Sequence, residues 1–284
     1  MKKHVVFGVV LGFGLLFLDV GCGSTGSKRF TFAASAGGIE RDASAPFVFV
    51  NATGWTVTLT RANVTVGPIY LNVVAPLRTA RFGVPFVRKA HADDSHLSSG
   101  RVVGEVLAQV TVDALSPSLV AFPLEGTITQ EQVRTADIWF WPPPGVAPEK
   151  INVDNVTADL EGEAARGDVR VRFRGAIVLD EAWASDARPG EVSATPIQEM
   201  RQVQGVAASF FPIEGGTLQI RVDVRSLFRG ANFENLAGNP TDADGTKRLV
   251  QAKTGAVPTD QVMRNAFQGL RAARGTWDVR WLIP

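Results

Sequence analysis

Apolar and polar residues alternate along most of this chain. In "GWTVTLTRANVTVGPIYLNVV", Trp55, Val57 and Leu59 fall on one side of an extended backbone and Thr56, Thr58 and Thr60 on the other. Val64 and Val66 resume the apolar face after "TRAN". The same period of two runs through "FTFAAS", "APFVFVNA", "GEVLAQVTVDAL", "DIWFW", "NVTADLEGEA", "DVRVRFRGAIVL", "GTLQIRVDVRSLF" and "GTWDVRWLI". Such runs, recurring roughly every ten to fifteen residues between Gly, Pro, Asn and Asp, predict an all-β chain folded as an antiparallel β-sandwich, Ig-like or jelly-roll-like. One segment breaks the rhythm. "PTDQVMRNAFQGLRAA" places Val262, Ala266 and Leu270, with Met263 and Phe267, at helical spacing, and Thr259 is the expected N-cap. The run "WFWPPPGVAPEK" is the best boundary, because Pro142–Pro144 cannot continue a central strand. It divides a domain over 30–284 into halves of about 30–141 and 150–284 that share one core.

The first residues follow another pattern. Lys2, Lys3 and His4 precede fourteen apolar residues from Val5 to Leu18, too short for a comfortable membrane span and suited to the core of a signal peptide. The run ends in "LDVGCGSTGSK", where the sole cysteine, Cys22, follows Gly21. This resembles a bacterial lipobox, which implies cleavage of residues 1–21 and diacylglyceryl attachment to the Cys22 sulfur. Val20 and Gly21 fit that pattern, while Asp19 stands where an aliphatic residue is usual. The competing reading is an ordinary secretory signal with an incidental cysteine. Lipidation would leave no thiol for a disulfide, so the exported fold would rest on burial and hydrogen bonding. Each buried acyl methylene contributes about 0.8 kcal/mol to anchoring. Residues 22–29, rich in Gly and Ser, would form a flexible tether, and Gly23 after the cysteine favours an outer-membrane destination by the same resemblance.

Charge narrows the partners. The chain has 29 basic and 28 acidic residues; removing 1–21 leaves 27 of each. A neutral chain without a basic block has no electrostatic footprint for nucleic acid. GxSxG, HExxH, P-loop and strand-linked GxGxxG signatures are all missing, so no familiar catalytic motif directs the reading towards an enzyme.

The most concentrated chemistry is "KAHADDSH", Lys89–His96, which holds both histidines outside the leader. His91, Asp93, Asp94 and His96 are metal-ligand types suited to copper(II), zinc, nickel or manganese. On a flat strand the two histidines would point to opposite faces, so they can share one ion only if the turn-prone "ADDS" folds the segment back. Otherwise the segment is a solvated loop. "NPTDADGTK" has the opening rhythm of a calcium loop but lacks the later glutamate, and reads better as a turn. Glu161 with Glu163 and Asp180 with Glu181 are paired carboxylates that read as solvated. In "WFW", Trp139 and Trp141 share one face and Phe140 takes the other, which suggests packing.

"GWTVTLTRANVTVGPIYLN" followed by "AHADDSHLSSGRVVGEVLAQVTVDALS" resembles uncharacterised secreted or lipid-anchored proteins of myxobacteria and related bacteria. These are distantly similar to the methanobactin-associated periplasmic copper-binding protein type, which carries a His-x-His-Pro-Gly-His-like loop before a "GE" strand. By that resemblance His91 and His96 take the outer histidine positions, Asp93 replaces the middle one, and Asp94–Ser95 replace Pro-Gly. Gly104 and Glu105 match the following strand, and "GGTLQIRVDVRSLF" matches the later half. The resemblance implies an envelope lipoprotein that binds copper or zinc. The alternative is a structural or protein-interaction lipoprotein, without metal, that holds an envelope protein partner.

Overall fold

The computed structural model describes residues 28–74, 101–140, 156–178, 202–251 and 260–283. In chain order the strands begin with β1 (Arg29–Gly38), β2 (Phe47–Val50), β3 (Thr56–Val66), β4 (Ile69–Asn72) and β5 (Val102–Val106). They continue with β6 (Val110–Asp113), β7 (Val120–Ala121), β8 (Gly126–Thr129), β9 (Val133–Trp139) and β10 (Val156–Arg166). The later ones are β11 (Val169–Val178), β12 (Gln202–Phe210), β13 (Thr217–Val222), β14 (Lys247–Arg248) and β15 (Trp277–Leu282). One α-helix, α1 (Gln261–Leu270), precedes β15, and short 3-10 turns occupy Val224–Phe228 and Phe233–Leu236.

The described residues are all-β with one helix, as the alternation predicts, but the sheets are mixed rather than wholly antiparallel. The larger runs β12-β9-β4-β5-β8-β1-β13-β15, with β7 also beside β1; the smaller runs β14-β11-β10-β3-β2, with β6 beside β3. β1 is parallel to β13, and β11 is parallel to β14. Alternation reports which face a residue occupies, and nothing about strand direction. The two halves flanking Pro142–Pro144 do not form separate sheets. β9 pairs β12, β1 pairs β13 and β3 pairs β10, so both sheets take strands from both halves.

The larger sheet curls until its end strands meet. Phe210 on β12 stacks on Trp281 of β15 with ring centroids 5.5 Å apart, and Trp281 also meets Phe32 (5.1 Å) and Phe30 (6.3 Å) of β1. Gly216 makes this possible, since a Cβ there would lie 2.1 Å from the Trp281 indole nitrogen. The result is a nearly closed barrel whose interior is apolar.

β3 belongs to the smaller sheet, and Gly67–Pro68 then lead the chain into β4 of the larger one. Opposite β10, Leu59 faces Gly162 but Arg61 faces Glu161, so Thr60 is an extra residue that bulges the strand. The bulge explains why Trp55, Val57 and Leu59 give way to Ala62, Val64 and Val66 as the buried set. Beneath this sheet Phe173 packs on Phe228 and Phe233 at 5.3 and 5.0 Å, and Trp55 on Phe233 at 5.6 Å. Each such pair contributes about 0.5–1.5 kcal/mol beyond its area.

The N-cap of α1 is Asp260, one residue beyond the expected Thr259, which lies outside the described residues. One Asp260 oxygen accepts from the Val262 and Met263 amides at 2.7 and 3.2 Å; the other accepts from the Asn239 side chain and the Val250 amide. A carboxylate can serve both ends of this corner, which a hydroxyl could not. Val262, Met263, Ala266, Phe267 and Leu270 are buried as their spacing predicts.

Asn51, buried after β2, ties these layers together. Its amide donates to the carbonyls of Phe228 (3.0 Å) and Ala231 (2.8 Å), and its oxygen accepts from the backbone amides of Thr53 and Trp55, each at 3.0 Å. Truncation strands several buried partners at once. Asn51→Ala is expected to cost about 3 kcal/mol of unfolding free energy by denaturant titration; a loss below about 1 kcal/mol would show that water replaces these bonds.

Candidate functional site

Cys22, His91, Asp93, Asp94 and His96 all lie outside the described residues, as do Trp141, Asp180 and Glu181. What the structure fixes is where the histidine-bearing connection starts and ends. Residues 75–100 join β4 to β5, and Asn72 at the end of β4 pairs with Val102 at the start of β5. Just beyond, the Val73 amide donates to the Arg101 carbonyl at 3.2 Å. Both ends of the connection therefore sit side by side on one rim of the larger sheet.

Among the described residues, the chemistry that stands out lies on the wall formed by β5, β4, β9 and β12. Period-two alternation sends Ile69, Leu71, Ala136, Ile138 and Val203 into the core. The opposite face carries Tyr70 and Asn72 of β4, Thr135, Asp137 and Trp139 of β9, and Gln202 of β12. Register places Tyr70 opposite both Glu105 and Asp137, Asn72 opposite Thr135, and Gln202 opposite Trp139. A face this polar would ordinarily be wet, yet Asn72, Asp137 and Trp139 are 0 % exposed. Trp139 is buried outside the continuous apolar core, on this second, polar side.

Asp137 is the centre of the patch. One oxygen accepts from the Gly205 amide at 2.9 Å, while the other has no hydrogen-bond partner. Burial pushes its carboxyl above the usual carboxylate range, with the Gly205 amide and the adjacent Asn72 side chain pulling the other way. The Asn72 amide, the Trp139 indole nitrogen and the Gln202 carbonyl lie buried without well-formed hydrogen bonds. Tyr70 is pushed up to about 12, chiefly by burial and secondarily by Glu105. A carboxyl whose charged form is disfavoured by burial, a phenol that keeps its proton and two amides offer hydrogen-bond donors and acceptors. They do not make a nucleophile–base pair, and among the described residues no three His, Cys, Asp or Glu gather as a metal site.

The other candidate carboxylates are already engaged. Asp242 takes both Arg174 and Arg248, and Asp244 accepts from the amide and hydroxyl of Thr246, each at 3.0 Å. "NPTDADGTK" is therefore an arginine-clasped turn rather than an open calcium loop. Glu161 pairs with Arg61 at 2.8 Å and Glu163 with Arg170 at 2.9 Å across neighbouring strands. The basic face of "VRVRFR" is spent likewise, with Arg172 donating to the Asp244 carbonyl.

The patch left a faint sequence signal. Asp137 interrupts the otherwise apolar "ADIWF" and Asn72 closes "IYL", positions that alternation alone assigns to solvent. Its elevated carboxyl has a consequence for stability. The folded chain holds the Asp137 proton more tightly than the unfolded chain does, so the contribution is full below about pH 4 and is lost as pH rises through the folded value. Asp137→Asn can still accept from Gly205 and carries no charge. It should raise the melting temperature more at pH 8 than at pH 4; parallel pH profiles for the two proteins would contradict the burial argument.

Comparison with family models, curated proteins and solved structures returned no match for this chain.

Proposed function

We propose that this chain is a cell-envelope lipoprotein, held in the outer membrane by lipid on Cys22, facing the periplasm or the cell surface and acting as a binding module. The observation that carries the reading is the leader: a charged start, a fourteen-residue apolar run and one cysteine placed for lipidation. The bound species on this reading is copper or zinc, held by His91 and His96 with Asp93 or Asp94. Both histidines outside the leader fall in one acidic connection, and the Asn72–Val102 pairing fixes its ends next to each other. The apolar core shared by the smaller sheet and the curled larger one suits a sandwich that has partly become a barrel. The second reading is a lipoprotein without metal that holds an envelope protein; β2, at the edge of the smaller sheet with Val48 and Val50 exposed, favours it.

Two measurements test the proposal. Mass spectrometry of the mature protein should find an N-terminal Cys22 carrying a diacylglyceryl group, and an unmodified cysteine ends the lipoprotein reading. Calorimetric titration of copper and zinc should show a site in the native protein that is lost in His91→Ala/His96→Ala. Equal, weak heats from both proteins leave the metal-free reading.

A further inference from the structure

The rim that holds the start of β1 also gathers apolar side chains in water. Phe211, Ile213, Leu282 and Ile283 are 51 %, 42 %, 43 % and 67 % exposed. They belong to one surface, because Phe210 stacks on Trp281, Leu282 pairs with Thr217, and the Gly216 amide donates to the Ile213 carbonyl at 3.0 Å. On the same rim Val74 and Val102, also exposed, flank the ends of β4 and β5. Half of the twelve large apolar side chains exposed among the described residues thus lie at one end of the barrel. Single exposed apolar residues are ordinary, whereas a group of this kind marks an interface.

The first described residues identify what meets it. Lys28 forms an ion pair with Glu214 between Ile213 and Gly215, and the Gln130 amide donates to the Lys28 carbonyl at 2.7 Å. The chain therefore enters the barrel within the apolar patch. Cys22 lies six residues before Lys28, and a fully extended tether of that length spans only about 20 Å. A lipid on Cys22 would hold this rim, and no other part of the barrel, near the bilayer. The rim's charges fit such a surface: Lys28 and Arg101 pair with Glu214 and Glu131, and Arg29 and Arg134 add two further positive charges. We infer that this rim rests on the membrane, with Phe211, Ile213, Leu282 and Ile283 entering the headgroup boundary and the basic side chains facing anionic lipid. The inference rests on the lipid-anchored reading of Cys22 and adds an orientation to it.

The test uses the lipid-anchored full chain in vesicles of phosphatidylethanolamine and phosphatidylglycerol. With Cys22 acylated, an engineered cysteine is the only free thiol, so Ile213→Cys and Val169→Cys are each labelled with an environment-sensitive fluorophore. Val169 is exposed on β11 of the smaller sheet and serves as the comparison. The label at 213 should shift to the blue and lose most of its emission when the lipids carry brominated chains, while the label at 169 changes little. Adding Phe211→Ser and Leu282→Ser should remove the shift at 213 while the protein still floats with the vesicles. Equal responses at 213 and 169 in floating protein overturn the rim orientation and leave the anchor intact. A blue shift that follows protein density and ignores bromination assigns the rim to a second copy of the chain, and also overturns it. Protein that fails to float overturns the anchored reading itself, and the orientation with it.

Discussion

The larger sheet is held in its curl by the contact of Trp281 with Phe210, Phe32 and Phe30. Eight strands run from β12 to β15 through a hydrogen-bonded ladder, and where the ladder stops an aromatic cluster takes over. Burial there does what backbone pairing does elsewhere, and it needs Gly216 to admit the indole. Without the closure, the apolar lining from β1, β12 and β15 would face water. A loss of about 25 cal/mol per square ångström of exposed apolar surface makes that arrangement costly.

Much of this fold was legible as faces and little of it as connections. The alternation in "GWTVTLT" identified Trp55, Val57 and Leu59 as buried, and helical spacing identified the core side of α1. A shift of phase was visible at "TRAN", although its cause, the bulge at Thr60, needed the register with β10. Parallel pairing of β1 with β13 was not legible, because side-chain alternation is the same in either direction. The N-cap was displaced by one residue because Asp260 also serves Asn239 and Val250, partners distant in sequence from its own helix. The metal candidates were read from composition in a segment outside the described residues, so the geometry bears only on its anchoring ends.

The wall of β4, β5, β9 and β12 shows what alternation omits. Period two separates two faces, but which face is dry depends on what else lies against it. Asp137 and Asn72 occupy positions that would be wet on an ordinary antiparallel sheet, and both are buried. Burial without full pairing raises the proton affinity of Asp137 and leaves amide groups short of partners. Those polar groups belong to the same strands whose other side chains fill the core, so rigid packing behind them holds their positions.

The parallel ladder between β1 and β13 has a consequence for the order of assembly. Ala33 sits opposite Thr217, a separation of 184 residues, and β15 adds to the far side of β13. β1, an interior strand of the larger sheet, must therefore wait for a partner made long after it, with the entropy of a long loop opposing the match. Early in synthesis, β1 has no permanent neighbour on that side. A chain wired this way stays open until its last strands arrive, so closure of the ring is among the last steps of its folding.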